Sequence, residues 1–498
     1  MTEGNVRKRT VNKIQFYDER NNNNHNHTNN QTTKTTNGYT NIHTSSTKKK
    51  NKLNILITLF YFILIIIVVV ISGVVYMLVT RLGIGNKDID NSKYENMKAI
   101  YSNDVLEIVC ELDIPAGNIA VGRDYRTFFN YHPEYHPNPI KIVEMINYNS
   151  TSNTYDLIPY PSLEFQSNYI TVLSLRIDTN NILWLLDFAQ HGLLGTPTLY
   201  GFQLVDSYDR GIKNDVLKYN YSFPSNIAGI GSFLNDFQID PSGDYIYIAD
   251  TSIIGASPAL IIFAVKTLKS YRLLSKHPSM FGDSVFWNIS GITIPPAGPF
   301  GMKINVDSIA LDRDGSTLYY GAVTGNKLYA VSTSHLLALI ANSDLRTEYT
   351  ETLEKGLPFT IQEVLLYDDD DNLIDKPSTD GLTTDNAGNI YLTSFEQSSI
   401  SIAIPMKSTE LGKFSMRLKK VVQSKELLRW PDGFSFGPDG LYITNSALHL
   451  KMANLLGGPK HMEQFRPFHI LRLSLDSLER FSKELDDGTI LKFAQSGQ

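Results

Sequence analysis

One phrase recurs along this chain and restricts its fold more than any other feature: Asp-Gly-apolar-x-apolar-Asp-x-x-Gly-x-apolar-Tyr-apolar. It is complete at residues 380–392 and returns at 432–443 as Asp432-Gly433-Phe434 through Gly440-Leu441-Tyr442-Ile443. Looser copies begin at Asn235-Asp236-Phe237 and at Asp307-Ser308-Ile309. Alternating apolar residues have the period of a strand, and Asp/Asn-x-x-Gly supplies a turn residue that accepts positive φ. The phrase therefore reads strand, tight turn, strand. Copies at roughly 50–75-residue spacing are the mark of a β-propeller, one four-stranded blade per copy. The expected fold is all-β: a six-bladed propeller over residues 105–480, with a C-terminal tail over 481–498. No helical pattern alternates with the strands, which excludes a βαβ fold. Residues 332–342 carry Leu336, Leu337, Leu339 and Ile340 and read as a short helix between blades.

Three zones of composition precede or contain this repeat. Residues 1–52 are rich in Asn, Thr and Lys and hold little that can be buried, so disorder is expected. Residues 53–80 contain no charged side chain. The apolar run from 55 to 79 would span ~37 Å as a helix, enough to cross a bilayer with some tilt. A secretory signal peptide would have a shorter apolar region nearer the N-terminus. Residues 81–104 read as a membrane-proximal stalk. Lys48, Lys49, Lys50 and Lys52 precede the span, whereas Arg81, Lys87 and Lys93 follow it mixed with Asp88 and Asp90. That bias puts the N-terminus in the cytoplasm.

Charge follows the same division. The first 52 residues hold ten Lys/Arg and three Asp/Glu, a net of +7, which leaves −13 for the remainder of a chain whose total is −6. A basic tail beside a membrane suits anionic lipid, and an acidic body argues against nucleic acid. The body would lie outside the cytoplasm, extracellular or lumenal. Its sequons at Asn149, Asn220 and Asn288 are then glycosylation candidates. The lone cysteine, Cys110, excludes an intrachain disulfide. Its apolar neighbourhood makes it a buried small side chain.

The repeat also places a candidate site. Asn235, Asp236, Asp307, Asp380 and Asp432 begin equivalent strands, so closure of the ring should gather them at one end of the channel. Carboxylates converging without a counter-charge repel, and a bound cation or small ligand would relieve them. The competing reading is that they only cap turns. Asp178, Asp240, Asp312 and Asp385 sit at the hairpin turns and read as structural turn formers. The run Asp368 to Asp371 lacks the spacing of a calcium loop and reads as a solvated acidic loop. Phe300, Phe395 and Trp430 flank the channel phrases and could line an aromatic pocket. The His residues lack metal spacing, and no nucleophile elbow, phosphate loop or zinc motif is present.

Further residues carry a family resemblance. In order these are Leu157-Ile158-Pro159-Tyr160-Pro161, Arg176-Ile177-Asp178 with Leu183-Trp184-Leu185-Leu186-Asp187, Pro197-Thr198-Leu199, Tyr247-Ile248-Ala249-Asp250, Leu318-Tyr319-Tyr320, Leu328-Tyr329-Ala330 and Trp430-Pro431-Asp432. This order resembles the major royal jelly protein/yellow family of six-bladed propellers. The phrases are also similar to the gluconolactonase and calcium-dependent lactonase superfamily, in which Glu, Asn and Asp hold a metal. Matched phrase to phrase, that resemblance implies Asn235 and Asp380 as Ca²⁺ ligands, with Glu107, Glu111 and Glu144 nearest in order to the Glu.

The leading expectation is a membrane-anchored, outward-facing propeller that binds a small molecule or partner at the channel mouth. The rival is a metal-dependent lactonase-type hydrolase. The yellow branch implies a third, dopachrome-type isomerisation, which needs a general base. Topology is open to direct measurement. Protease added to sealed membranes from the cytoplasmic side should remove the N-terminal tail and spare residues 105–475; digestion of the propeller from that side reverses the assignment.

Overall fold

The computed structural model describes residues 92–135, 138–149, 154–205, 215–295, 301–341, 361–406, 414–453, 462–474 and 476–478, all within the compact unit Val79–Gln498. The expected tail (1–52), span (53–80) and C-terminal tail (481–498) lie outside the described residues, as do residues 81–91 of the expected stalk. Among the described residues no helix is long and apolar enough to cross a membrane.

The chain is a succession of antiparallel meanders. After β1 (Leu106–Leu112), the first comprises β2 (Ala116–Val121), β3 (Thr127–Tyr131), β4 (Ile142–Asn149) and β5 (Thr154–Pro159). The second is β6 (Val172–Ile177), β7 (Ile182–Asp187), β8 (Thr198–Gln203) and β9 (Val216–Ser222). The third is β10 (Leu234–Ile239), β11 (Tyr245–Asp250), β12 (Ala259–Ala264) and β13 (Lys269–Leu273). A separate hairpin follows, β14 (Trp287–Ile289) with β15 (Ile292–Ile294). The next meander is β16 (Val306–Leu311), β17 (Thr317–Ala322), β18 (Leu328–Ser332) and β19 (Gln362–Tyr367), with β20 (Leu373–Ile374) on its edge. Then come β21 (Leu382–Thr384), β22 (Ile390–Ser394), β23 (Ser399–Pro405) and β24 (Phe414–Gln423). β24 pairs in parallel with β19, so these two meanders share one sheet. Last are β25 (Pro431–Gly437), β26 (Gly440–Asn445) and β27 (Phe468–Ser474), completed by β1.

The arrangement is an all-β propeller. The first strand of each meander touches the next: β2 meets β6, β6 meets β10, β10 meets β16, β16 meets β21, β21 meets β25, and β25 returns to β2. β1 pairs with β27 across more than 350 residues and closes the circle, Leu106 opposite Leu473 and Leu112 opposite Phe468. That pairing abolishes a free edge that would otherwise invite association. Cys110 lies within β1, buried, its thiol pushed up to about 12 by burial and then by Glu111.

Apolar side chains between neighbouring sheets hold the ring together. Trp184, Phe237, Ile248 and Phe263 fill one such layer, with Trp184 stacked on Tyr219 at 4.9 Å between ring centroids. The strands were expected to alternate apolar and polar faces. β2, β7, β12 and β16 are instead buried along their whole length, because both faces of a meander meet neighbouring sheets.

The hairpin-turn aspartates carry the role expected of them. Asp385 Oδ1 accepts from the Ala387 and Asn389 amides at 2.9 and 3.0 Å, and its Oδ2 accepts from Asn389 Nδ2 at 2.8 Å. Asp178 accepts likewise from the Asn180 and Ile182 amides and from Trp184 Nε1. The acidic run is neutralised in part by β24: Asp369 pairs with Lys419 and Asp371 with Arg417. The short helix expected between blades is present at Thr333–Ala341.

The described part of the expected stalk lies against the body. Tyr94, in a short helix at Ser92–Asn96, is buried, its hydroxyl 2.9 Å from Ser399 Oγ and 2.6 Å from Ser401 Oγ. The Ile100 and Tyr101 amides donate to the Lys420 and Val421 carbonyls of β24.

Asp385→Ala should cost about 2–4 kcal/mol, since it orphans buried donors without touching the channel. Chemical denaturation measures the loss; an unchanged midpoint would remove the turn from the list of supports.

Candidate functional site

The site begins with an irregularity in the first strand of five of the six meanders; the β21–β22 ladder is regular. The ladders skip one residue between Ala116 and Ile119, Val172 and Ser174, Leu234 and Phe237, Val306 and Ser308, and Pro431 and Phe434. A bulge bends its strand and re-aims a side chain. Asn118, Asp236, Asp307 and Asp432 lie within these bulges; Asp380 lies just before β21. The freed amides are met by side chains near the end of the second strand. Asn130 accepts from Asn118 N at 2.7 Å and Thr444 from Gly433 N at 2.9 Å; Asp250 accepts from Phe233 N, just before β10, at 2.7 Å. Thr393 Oγ1 accepts from both Asp380 N and Gly381 N. The glycine of the Asp-Gly phrase has a separate reason. A Cβ on Gly381 would collide with the Asp432 carbonyl, and one on Gly433 would lie 2.9 Å from Asn118 Cα. The first strands thus approach too closely around the channel for any side chain there.

Closure brings four of the five predicted residues together. Asp236, Asp307, Asp380 and Asp432 act on one another electrostatically. Burial first, then Asp380, Asp236 and Asp432, hold the Asp307 carboxyl well above the usual carboxylate range. Asp432 is raised for the same reasons, burial and then Asp380. Asp380 is pushed up to about 6 by burial; the Trp430 hydrogen bond opposes this, and Asp236 adds to it. Asp236 and Asp307 are buried. Asp380 and Asp432 retain some accessible surface.

Among the described residues one cation is paired with this ring. Arg176 Nη2 lies 3.0 Å from Asp236 Oδ2. Asp236 Oδ1 also accepts from Ser174 Oγ at 2.9 Å and from its neighbour Phe237 N at 3.0 Å. Asp380 has one side-chain donor, Trp430 Nε1 at 2.6 Å. No hydrogen bond reaches the Asp307 carboxylate among the described residues. Chemically, the ring can hold a positive charge or hold protons.

Sequence reasoning did not find the structure at this end of the channel. The hairpin β14–β15 brings Trp287 edge-on to Phe395 and to Trp430, with centroids 5.0 and 5.5 Å apart. Phe395 and Trp430 stack at 3.9 Å and 5°. They pack on each other rather than lining an open aromatic pocket, and Phe300 lies outside the described residues. Trp287 Nε1 donates to Ser378 Oγ at 2.9 Å. Aromatic side chains therefore pack beside Asp380 at this end of the first strands. A cleft of about 40 Å³ lies at the other end of the first strands, lined by Arg176, Gln238, Thr383, Ser435 and the turn residues Asp178 and Asp240. It has room for a few waters.

Asn235 shares a bulge with Asp236 and is half-buried; its side chain makes no hydrogen bond among the described residues. No set of three or more His, Cys, Asp or Glu side chains lies close enough together to hold a metal ion among the described residues. Glu107 is bound to Arg472 and Glu144 to Arg126. Asn149, Asn220 and Asn288 are all exposed.

Residues 170–449 match the family model described as Major royal jelly protein. The chain belongs to the major royal jelly protein family. That match covers more than half of its length and bears out the resemblance carried by the ordered motifs. No curated protein sequence matches the chain. Among solved structures, this royal jelly family propeller is similar to a gluconolactonase from Xanthomonas campestris, at 10% identity and TM-score 0.39, covering 79% of this chain and 91% of that one. It is similar to a calcium-binding protein, regucalcin, from Agrobacterium tumefaciens, at 14% identity and TM-score 0.40, with 76% and 97% covered. A virginiamycin B lyase from Staphylococcus aureus gives 12% identity and TM-score 0.37, with 69% and 95% covered.

The raised carboxyls make a signed prediction for this family member. Folded Asp380 binds its proton more tightly than the unfolded chain does, so its contribution to stability is lost as pH rises from about 4 through about 6. Asp380→Asn keeps an acceptor for Trp430 and removes the charge. It should raise stability by about 1–3 kcal/mol at pH 7.5 and by nothing at pH 4. Thermal unfolding of both proteins across that range measures it; a difference that does not change with pH contradicts the raised carboxyl.

Proposed function

We propose that this protein is a membrane-anchored, six-bladed propeller with its body outside the cytoplasm, and that its carboxylate ring binds a small cationic ligand, an amine. The observation that carries the ligand reading is the electrostatic imbalance of the channel: four mutually repelling carboxylates and one guanidinium, which touches only Asp236. Uncompensated charge in a partly dry channel is costly, and a bound cation relieves it. The spacing favours an organic cation over a metal ion. The carboxylates feel one another, yet the described residues offer no set that converges on one ion. A lactonase-type centre needs several oxygens on one Ca²⁺, and Asn235 with Asp380 does not supply them. The six meanders, each contributing one first strand to the circle, support the blade count. The membrane reading rests on the apolar run at 53–80 and its flanking charges, and the exposed sequon asparagines suit a lumenal or extracellular side as glycosylation sites.

Tyramine and Ca²⁺, titrated separately into the full-length protein at pH 7.5, test the ligand reading. A ligand that binds only the native state stabilises by ~2.7 kcal/mol at a hundredfold excess over Kd. The expected result is a saturable rise in Tm with tyramine that Asp380→Asn removes. A Ca²⁺ response alone restores the metal reading, and no response to either ends the cation reading.

A further inference from the structure

The one cation paired with the ring among the described residues, Arg176, also lines the cleft. Arg176 belongs to β6, two residues beyond Ser174, and both side chains reach Asp236. Its guanidinium spans three acceptors. Nη2 donates to Asp236 Oδ2 at 3.0 Å and to Oδ1 at 3.2 Å, and Nε donates to the Phe237 carbonyl of β10. Nη1 makes no hydrogen bond among the described residues. The same residue lines the cleft at the open end of the channel. Arg176 therefore stands between the cleft and the ring. On the far side of Asp236 lie Asp307, Asp380 and Asp432, whose raised state is set by burial and by one another.

We propose that Arg176 is a tethered plug: its guanidinium occupies the cation seat at Asp236, closes the ring to cations from the cleft, and is displaced when a cationic ligand enters. This rests on the cation reading of the ring. The guanidinium is planar and holds a carboxylate and a carbonyl at once, which an ammonium cannot do with the same geometry. It is joined to β6 by a flexible stem, so displacement requires side-chain rotation and no movement of a strand. The cleft that Arg176 already lines gives the displaced guanidinium a hydrated space to move into. The tether also sets selectivity. A free cation must compete with a group held permanently beside the carboxylate, so a ligand succeeds only by reaching the carboxylates beyond Asp236 as well.

Methylguanidinium is the probe, added at millimolar concentration to the full-length protein against NaCl of equal ionic strength. Arg176→Ala empties the seat, so it should show a saturable Tm rise of a few degrees that wild type lacks. Arg176→Ala with Asp236→Asn should lose it. A folded Arg176→Ala protein with no response overturns the proposal, as does an equal response in wild type. If Arg176→Ala does not fold, Arg176→Lys carries the test: a larger response than wild type supports the plug, and an equal one overturns it. A methylguanidinium response in Arg176→Ala without a tyramine response in wild type assigns the failure to the ligand reading. Tyramine binding without a methylguanidinium response overturns the plug alone.

Discussion

The channel depends on one small device, the bulge that opens five of the six first strands. An extra residue there would leave backbone amides without ladder partners, a cost of the order of 1–3 kcal/mol for each buried orphan. Asn130 and Thr444 remove that cost by accepting from the bulge amides of Asn118 and Gly433, and Asp250 and Thr393 accept from amides that lead into β10 and β21. The same bend turns Asn118, Asp236, Asp307 and Asp432 toward the axis. Backbone satisfaction and site construction are thus one event. The glycines at 381 and 433 complete it by letting neighbouring first strands approach until a Cβ would collide.

Around that device the molecule places its charges unevenly. At the hairpin turns, aspartates are saturated with amide donors and serve the backbone. In the ring, Asp307 has no hydrogen-bond donor among the described residues, and Asp380 has the indole of Trp430. The distinction matters because the residue types are the same. A carboxylate surrounded by N–H groups needs no counter-ion, whereas one surrounded by other carboxylates does. Arg176 answers the need at Asp236 alone, and the remaining three carry the functional reading. Trp287, Phe395 and Trp430 pack together beside Asp380 at one end of the first strands, and Arg176 lines the cleft at the other.

The royal jelly family membership adds a fold and an ancestry to this picture without choosing a ligand. The chemistry is read from the ring itself. The four carboxylates are close enough to raise one another, and among the described residues no set of three or more His, Cys, Asp or Glu is grouped to hold a metal ion.

Much of this was legible in the chain before any folding was considered. The Asp-Gly phrase has a strand period, so each copy fixes an equivalent strand position, and closure of a ring must then gather Asp236, Asp307, Asp380 and Asp432. The turn role of Asp385 was equally legible, since Asp-x-x-Gly carries its own local hydrogen-bonding logic. What stayed hidden depends on partners distant in sequence. β1 has no phrase of its own and is defined only by β27, more than 350 residues away. The hairpin β14–β15 lies in an insertion between repeats, and its contact with Trp430 exists only once the ring has closed. Arg176 sits in a recognisable motif, yet nothing local says that its guanidinium will cross to the neighbouring first strand and rest on Asp236. Periodicity determined which residues are equivalent; the tertiary structure decided which equivalent residues are neutralised, because charge and donors arrive from other strands.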